Sequence, residues 1–562
     1  MSEDLTSADG TGTIDASFWQ ANLMVGKKYS NAKKAFADKE FGHLHRQSAA
    51  AEKEQLEFFG VLTECRISEA KEAKETIHRP VQTIGMKGNA AGQPNISKTR
   101  TMFNGSNQEM CAGQQTFTFT PKQCTIRSTI AEAAGGGCKL FCMDLPNAFS
   151  QSIAPNAKYM YFPKGTDEKH DPITGELIIY RVNNLYGRKD AGFNFQTDLV
   201  NWMKTIGFIQ NKFDHALFRR EATKTEQKIE CVIWIDDFLA SVKSEADAAW
   251  LKRKVEDRWA PGGKSVKFEP ATFFLGANIE QCDTHIKISQ QAYIDNWIQD
   301  LRDDGTITGK LPVYATPLPA GYEINRNDCP GKPTVRSKFR TLVAKIGWVS
   351  LVSRPDVAFA AHLLAKIAMD PSEEHKAIGM RVVAYLANTS SNGIKYNRIN
   401  THNAHHLIAS ADASHQSDPI TRKSTSGYIC YLNGGPINWI SKGQSLVTLS
   451  SCESEIVSAV EATKDVLFLR RMLADQRGIV EPVTTLEQDN TSAIQIIENP
   501  ELALSGSRSK HIHARYLWIK QNIDAGEIKL KKVKTDDMTS DFFTKALSPP
   551  KFLKFRAMIM SM

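Results

Sequence analysis

Short runs of apolar, β-branched residues along this chain repeatedly stop at an acidic one. Ile229, Val232, Ile233 and Ile235 lead into Asp236 and Asp237, and a second apolar run, Phe238 to Val242, leads away. This pattern predicts a β-hairpin with two carboxylates at its tip. Gly137 to Ser150, GCKLFCMDLPNAFS, repeats it with a single acid, Asp144, and Phe149 follows five residues later. In the last third, His406 to Ser414 predicts a strand carrying Asp412. Ser426 to Leu432 and Pro436 to Ser441 predict strands joined by Asn433-Gly434-Gly435, and Gln444 to Leu449 a short strand before the helix SSCESEIVSAVEA. Val483 to Gln488 predicts a strand ended by Asp489, and Ile528 to Thr535 one that precedes a final helix holding Asp541.

Helical spacing marks other stretches. Leu56, Phe59 and Leu62 predict surface helices between Asn31 and Glu75, and Tyr293, Trp297 and Leu301 an amphipathic helix. Val335 to Leu351, Pro355 to Met369 and Pro371 to Ala387 predict three more, whose apolar stripes are most simply core. Residues 1–30 predict a flexible start, Arg79 to Gln115 a loop-rich region holding Lys98 and Arg100, and residues 303–334 a linker rich in Pro and Gly.

A chain of 562 residues, 41% hydrophobic and 23% charged, has room for several globular domains. Its net charge of +8 is concentrated late, with 12 Lys or Arg against 5 Asp or Glu from Ser505 to Met562. Such a segment suits a polyanion or forms a solvated face. The ten cysteines include no CxxC pair, which points to reduced thiols and an intracellular protein without a zinc knuckle. No apolar run approaches the roughly 18 residues of a membrane span.

Adjacent carboxylates repel each other beside buried surface unless a divalent cation offsets the repulsion. An isolated Asp-Asp turn needs no such explanation, because aspartate is a good turn residue. A further strand delivering Asp144 changes the weighing, since a two-metal site needs oxygens from separate elements. Glu453 is accounted for structurally by the capping box it forms with Ser450, unless other acids join it.

DLPNAF, LYGRKDAGF, WIDDFL and FFLGANIE, in this order, resemble the reverse transcriptase of copia-type retrotransposons from about Lys53 to about Tyr293. ASADAS, RKSTSGYICYLNGGPINWISKGQ, LSSCESE, QDNTSAI, SKHIHARYLWIK and TDDMTSDFFTKAL resemble the ribonuclease H of the same family from about Leu407 to Leu547. The resemblance implies an α+β and α/β multidomain protein, the C-terminal part of a Pol polyprotein. Residues 1–52 would be a flexible or helical N-terminal segment, 53–280 polymerase fingers and palm, and 281–400 a helical thumb or connection. Residues 401–547 would be the ribonuclease H-like domain and 548–562 a basic tail.

It further implies catalytic, metal-holding carboxylates at Asp144, Asp236 and Asp237 for polymerisation, and at Asp412, Glu453, Asp489 and Asp541 for hybrid cleavage. Lys98 and Arg100 would contact the triphosphate, Phe149 would gate the sugar 2′ position, and Gly187 would lie in a segment under template or nucleotide. His511 and Arg515 would touch the hybrid backbone or simply cap and solvate their helix. The implied cofactor is Mg²⁺, with Mn²⁺ as substitute. The implied partners are RNA template, DNA primer, RNA–DNA hybrid and deoxynucleoside triphosphates, with no membrane and an open oligomeric state. The implied place is intracellular: cytoplasm, virus-like particles or nucleus. This chain departs from the family at Trp234, where Tyr is usual, and at Arg188, Asp190, Gly192 and Phe193, where the family reads LYGLKQAPRAW. A catalytically inactive nucleic-acid-binding descendant and a nuclease-only remnant are the alternatives.

Overall fold

A computed structural model describes residues 24–560 except 89–93, 111–112, 167, 224–226, 262–264, 325–332, 399–405 and 501–512. The chain divides into two compact units, Met1–Thr118 with Leu145–Thr205, and Phe119–Asp144 with Ile206–Met562. The expected fingers and palm segment 53–280 is shared between the two units. Its chain leaves the first unit at 118, contributes a helix and a strand to the second, and returns at 145.

In the first unit, the strands Met24–Tyr29, Val81–Gly88 and Pro94–Met102 form an antiparallel sheet against the helix Gly42–Phe58. Of the expected flexible start, residues 1–23 lie outside the described residues, and Met24–Tyr29 is a sheet strand. Lys98 and Arg100 also lie on a strand, Pro94–Met102, rather than on a loop. Their neighbours Thr99 and Thr101 explain why: both are buried, and Thr101 Oγ1 accepts from Gln82 Nε2 at 3.2 Å. Threonine suits a pleated, half-buried surface, so a stretch polar by composition still alternates inside and out.

The altered segment after Gly187 is internally satisfied. Arg188 and Asp190 form a buried bidentate pair at 3.0 and 2.9 Å. The guanidinium also donates to the carbonyls of Val182, Asn183 and Asn156, while Asp190 accepts from Gln108 and Gln114. Burial works to raise the Asp190 carboxyl, but Arg188 outweighs it and holds the group below its ordinary value. Each of the two charged departures thus supplies the partner that the other needs in a dry interior.

Two large sheets lie in the second unit. One runs in the order Phe268–Pro270, Lys139–Asp144, Asp237–Val242, Ile229–Trp234, Leu217–Arg220, Ile209–Gln210. The other runs Gly435–Gly443, Thr425–Leu432, Ile408–Ser414, Thr484–Gln488, Ile528–Lys532, with its first three strands antiparallel and the next two parallel to Ile408–Ser414. The expected strand at Gln444–Leu449 is absent, and an irregular segment there leads into the helix Ser451–Arg477. Asp541 lies on a 3₁₀ segment, Thr539–Phe543, not on the final helix. That helix, Pro549–Met560, buries Phe552, Phe555, Ile559 and Met560, so the expected basic tail is an anchored element. The three expected connecting helices are present as Pro333–Val352, Pro355–Val357 continuing into Ala358–Lys366, and Glu373–Asn388.

Both sheets share one core. The helix Gln123–Gly135 is buried over most of its length and packs on Gly435–Gly443. From this helix Arg127 donates to the carbonyls of Ile437 at 2.7 Å and Leu351 at 2.6 Å, with its guanidinium 4.0 Å from the centre of the Trp439 ring. Arg477, at the far end of the helix Ser451–Arg477, pairs with Glu132 at 2.6 Å.

Candidate functional site: two carboxylate clusters

The first cluster is made by strand register. Lys139–Asp144 pairs antiparallel with Asp237–Val242, so Asp144 faces Asp237 directly across the ladder. Asp237 also closes the hairpin opposite Trp234, leaving Ile235 and Asp236 as a two-residue turn. Phe238, Leu239 and Ala240 behind it are fully buried, so both faces of this strand are covered. Ile235 has φ +57, in the left-handed region that β-branched residues rarely adopt. Such a residue costs on the order of 1–3 kcal/mol and persists only where its surroundings impose it. Burial first, then the charges of Asp236 and Asp144, push the Asp237 carboxyl up to about 7.

In the second cluster, parallel pairing of Ile408–Ser414 with Thr484–Gln488 carries Asp412 and Asp489 to the same edge of the sheet. The helix Ser451–Arg477 crosses there and adds Glu455. Ligand oxygens of Asp412, Glu455 and Asp489 all lie within 4.8 Å of one another. Burial, with Asp412 and Asp489 adding to it, pushes Glu455 up to about 9, and burial raises Asp412 to about 6 against the pull of Lys545. Glu455 Oε2 is buried without a hydrogen-bond partner. An orphaned oxygen on Glu455, beside Asp412 and Asp489, fits a divalent cation.

Glu453 has a different task. Its Oε2 accepts from Leu449 N at 2.6 Å, while its own N–H donates to Ser450 Oγ at 3.2 Å, closing the start of the helix. Two residues are about 200° of helix rotation, so Glu453 and Glu455 point apart. The carboxylate that joins Asp412 and Asp489 is Glu455, and the expectation for Glu453 is corrected accordingly. Burial does not separate the two, since Ile456, Val457 and Val460 on the face of Glu453 are buried as well as Ser458, Ala459 and Ala462 on the face of Glu455. Ser458 Oγ confirms that this face meets the sheet by donating to the Asp412 carbonyl at 2.7 Å.

Asp541 is buried beside the trio. Lys545 Nζ lies 2.5 Å from its Oδ1 and 3.5 Å from Asp412 Oδ2, and Lys551 Nζ lies 2.7 Å from its Oδ2. Burial works to raise Asp541, but the two lysines outweigh it and hold the group below its ordinary value. Thr544 Oγ1 donates to Asp412 Oδ2. Thr544, Lys545 and Lys551 were not singled out in the sequence, where each is an ordinary polar residue of a basic stretch.

Lys98 and Arg100 are half-buried on their strand. Phe149 starts a 3₁₀ turn, its ring centre 4.4 Å from that of Tyr186 and 5.1 Å from that of Phe195. Gly187, at φ +90, passes so close to the Phe103 carbonyl that a Cβ would sit 2.1 Å from its oxygen, so this glycine has a backbone reason of its own. Arg515 is half-buried on the helix His513–Asp524, and His511 lies outside the described residues. A further trio, Glu280, Cys282 and His285, also comes within 4.8 Å. There Glu280 lies 3.7 Å from Lys287, and Arg398 donates to the Cys282 carbonyl, a cationic setting that disfavours a metal ion. Among the described residues no helix is long and apolar enough to cross a membrane.

Residues 80–316 match the family described as reverse transcriptase (RNA-dependent DNA polymerase). The chain is 28% identical over 474 residues to the retrovirus-related Pol polyprotein from transposon RE1 of Arabidopsis thaliana, covering 84% of this chain and 31% of that protein. To the retrovirus-related Pol polyprotein from transposon TNT 1-94 of Nicotiana tabacum it is 26% identical over 454 residues, covering 77% of this chain and 32% of that protein. The chain thus spans about a third of the length of these relatives. Among solved structures, a foamy viral protease-reverse transcriptase in complex with double-stranded DNA aligns with a TM-score of 0.48 at 13% identity, covering 93% of this chain and 73% of that one.

Proposed function

We propose that this chain, a relative of the Pol polyproteins of copia-type transposons, copies RNA into DNA at one carboxylate cluster and cleaves the RNA of the resulting hybrid at the other. The observation that carries this reading is the placement, in one compact unit, of two separate sets of acids whose charges need a cation. Bound Mg²⁺ or Mn²⁺ would supply charge neutralisation and activation of an attacking hydroxyl or water.

The chain's own residues do the positioning. Asp144 and Asp237, on facing strands, and Asp236, on the strained tip, would hold the polymerase ions where a primer 3′-hydroxyl meets a nucleotide. Trp234 packs against the core and closes the hairpin, so the departure from Tyr leaves the tip anchored. In the nuclease, Asp412, Glu455 and Asp489 would hold an ion against the RNA strand, with Asp541 completing the set. Selectivity for the hybrid would come from its shape and from the RNA 2′-hydroxyls rather than from base sequence. Lys98, Arg100 and Phe149 are assigned to the incoming nucleotide, and Arg515 to the hybrid backbone.

The test is primer extension on an RNA template and cleavage of an RNA–DNA hybrid, both with one preparation and both with Mg²⁺ titrated. The reading requires each activity to depend on the metal. Cleavage without extension would leave a nuclease-only protein, and loss of both beside intact hybrid binding would leave a binding protein.

A further inference from the structure

Resting on the nuclease reading above, we propose that Lys545 is a resident cation occupying the Asp412–Asp541 side of the nuclease cluster, so that divalent ions load there in a fixed order. Asp412, Glu455 and Asp489 form a compact trio, enough donors for one ion. A second ion sharing Asp412 would draw its other carboxylate from Asp541, which lies outside that trio. The space between those two acids already holds a charge. Lys545 Nζ reaches Asp541 Oδ1 at 2.5 Å and Asp412 Oδ2 at 3.5 Å. An ammonium and a divalent cation cannot share that position.

The two lysines on Asp541 differ in how they are held. Lys551 comes from the helix Pro549–Met560, whose Phe552 and Phe555 are buried, and it also reaches the Thr535 carbonyl at 3.4 Å. Lys545 follows the 3₁₀ segment, its side chain is 41% exposed, and Asp412 and Asp541 are its salt-bridge partners. The residue before it, Thr544, is pinned to Asp412, which keeps the lysine backbone in place while its side chain can turn. An entering phosphodiester offers new anionic oxygens beside the cluster. Lys545 then exchanges its carboxylate partners for the phosphate, which vacates the Asp412–Asp541 position for the second ion. The first ion binds without substrate, and the second binds only with it.

The experiment is Mn²⁺ binding to the full chain by calorimetry, without nucleic acid, for the parent, Lys545→Met and Lys545→Arg. Polymerase-site ions are common to all three and cancel in the comparison. Lys545→Met should bind one ion more than the parent, or bind its weakest ion at least about tenfold more tightly. Lys545→Arg, which keeps the charge, should resemble the parent. Equal stoichiometry and affinity in Lys545→Met and parent would overturn the proposal, and Lys545→Gln repeats the comparison if the Met variant folds poorly. Asp412→Asn separates the two levels: if it leaves both Mn²⁺ binding and hybrid cleavage unchanged, the nuclease reading itself fails. If it removes both while Lys545→Met changes nothing, only the role of Lys545 fails.

Discussion

The two glutamates at the start of the helix Ser451–Arg477 make opposite predictions for stability and activity. At pH 7 the metal-free folded protein keeps a proton on Glu455, whose carboxyl sits at about 9, while the unfolded chain, at its ordinary value of 4.5, has lost it. Holding that proton costs on the order of 3 kcal/mol. Between those two values the folded state binds more protons than the unfolded one. The contribution of this group to stability is therefore fully present below pH 4.5 and is lost as pH rises through about 9. Glutamine never ionises, so Glu455→Gln should stabilise the metal-free protein by about 2–3 kcal/mol at pH 7, with little effect at pH 4. On the proposed reading the same substitution removes a metal ligand and should slow hybrid cleavage about a thousandfold, roughly 4 kcal/mol of transition-state stabilisation.

Glu453→Gln should do neither. The amide oxygen can still accept from Leu449 N, so stability should change by no more than about 1 kcal/mol and cleavage by a few-fold. Melting curves in chelator at pH 4 and pH 7, with cleavage of a labelled hybrid in Mg²⁺, read both quantities. If Glu453→Gln abolished cleavage while Glu455→Gln retained it, or if Glu455→Gln destabilised the metal-free protein at pH 7, the assignment of the two acids would be wrong.

Asp236→Asn should reduce primer extension about a thousandfold while leaving hybrid cleavage near the parent level, because the acids proposed for cleavage gather at another sheet. Near-normal extension would remove the polymerase assignment. Arg127→Met leaves the Ile437 and Leu351 carbonyls without their buried donor and should cost about 3 kcal/mol, with both activities lost together on warming. A drop in only one activity would show that the two sheets unfold separately. Phe149→Val should raise ribonucleotide incorporation at least about tenfold relative to deoxynucleotide incorporation if the ring excludes a 2′-hydroxyl. An unchanged ratio with a lower melting temperature would return Phe149 to its aromatic stack with Tyr186 and Phe195.

Local patterns were legible in the sequence, whereas the pairing of distant elements was not. Apolar runs ending at acids identify the strands that carry Asp144, Asp237 and Asp412 or stop just before Asp236 and Asp489, because alternation and turn chemistry are local properties. Confusing Glu453 with Glu455 has a physical origin. The capping box is a short-range signal, so the acid it explains stands out, while the acid facing the sheet is told only by its meeting with Asp412 and Asp489, far away in the chain. Lys98 and Arg100 were placed on a loop because charged and threonine-rich stretches look solvated until a partner strand buries alternate positions. Nothing near Arg127 in the sequence announced a buried hub, since all its acceptors are carbonyls more than two hundred residues away. That hub has a consequence for function. Because it ties the helix Gln123–Gly135 to the strand Gly435–Gly443, the sheets that carry the two carboxylate clusters share one packed core. Substitution at either metal site can therefore separate the two chemistries, whereas excision of residues 401–547 would expose the apolar face that Gln123–Gly135 covers and should not yield a stable nuclease.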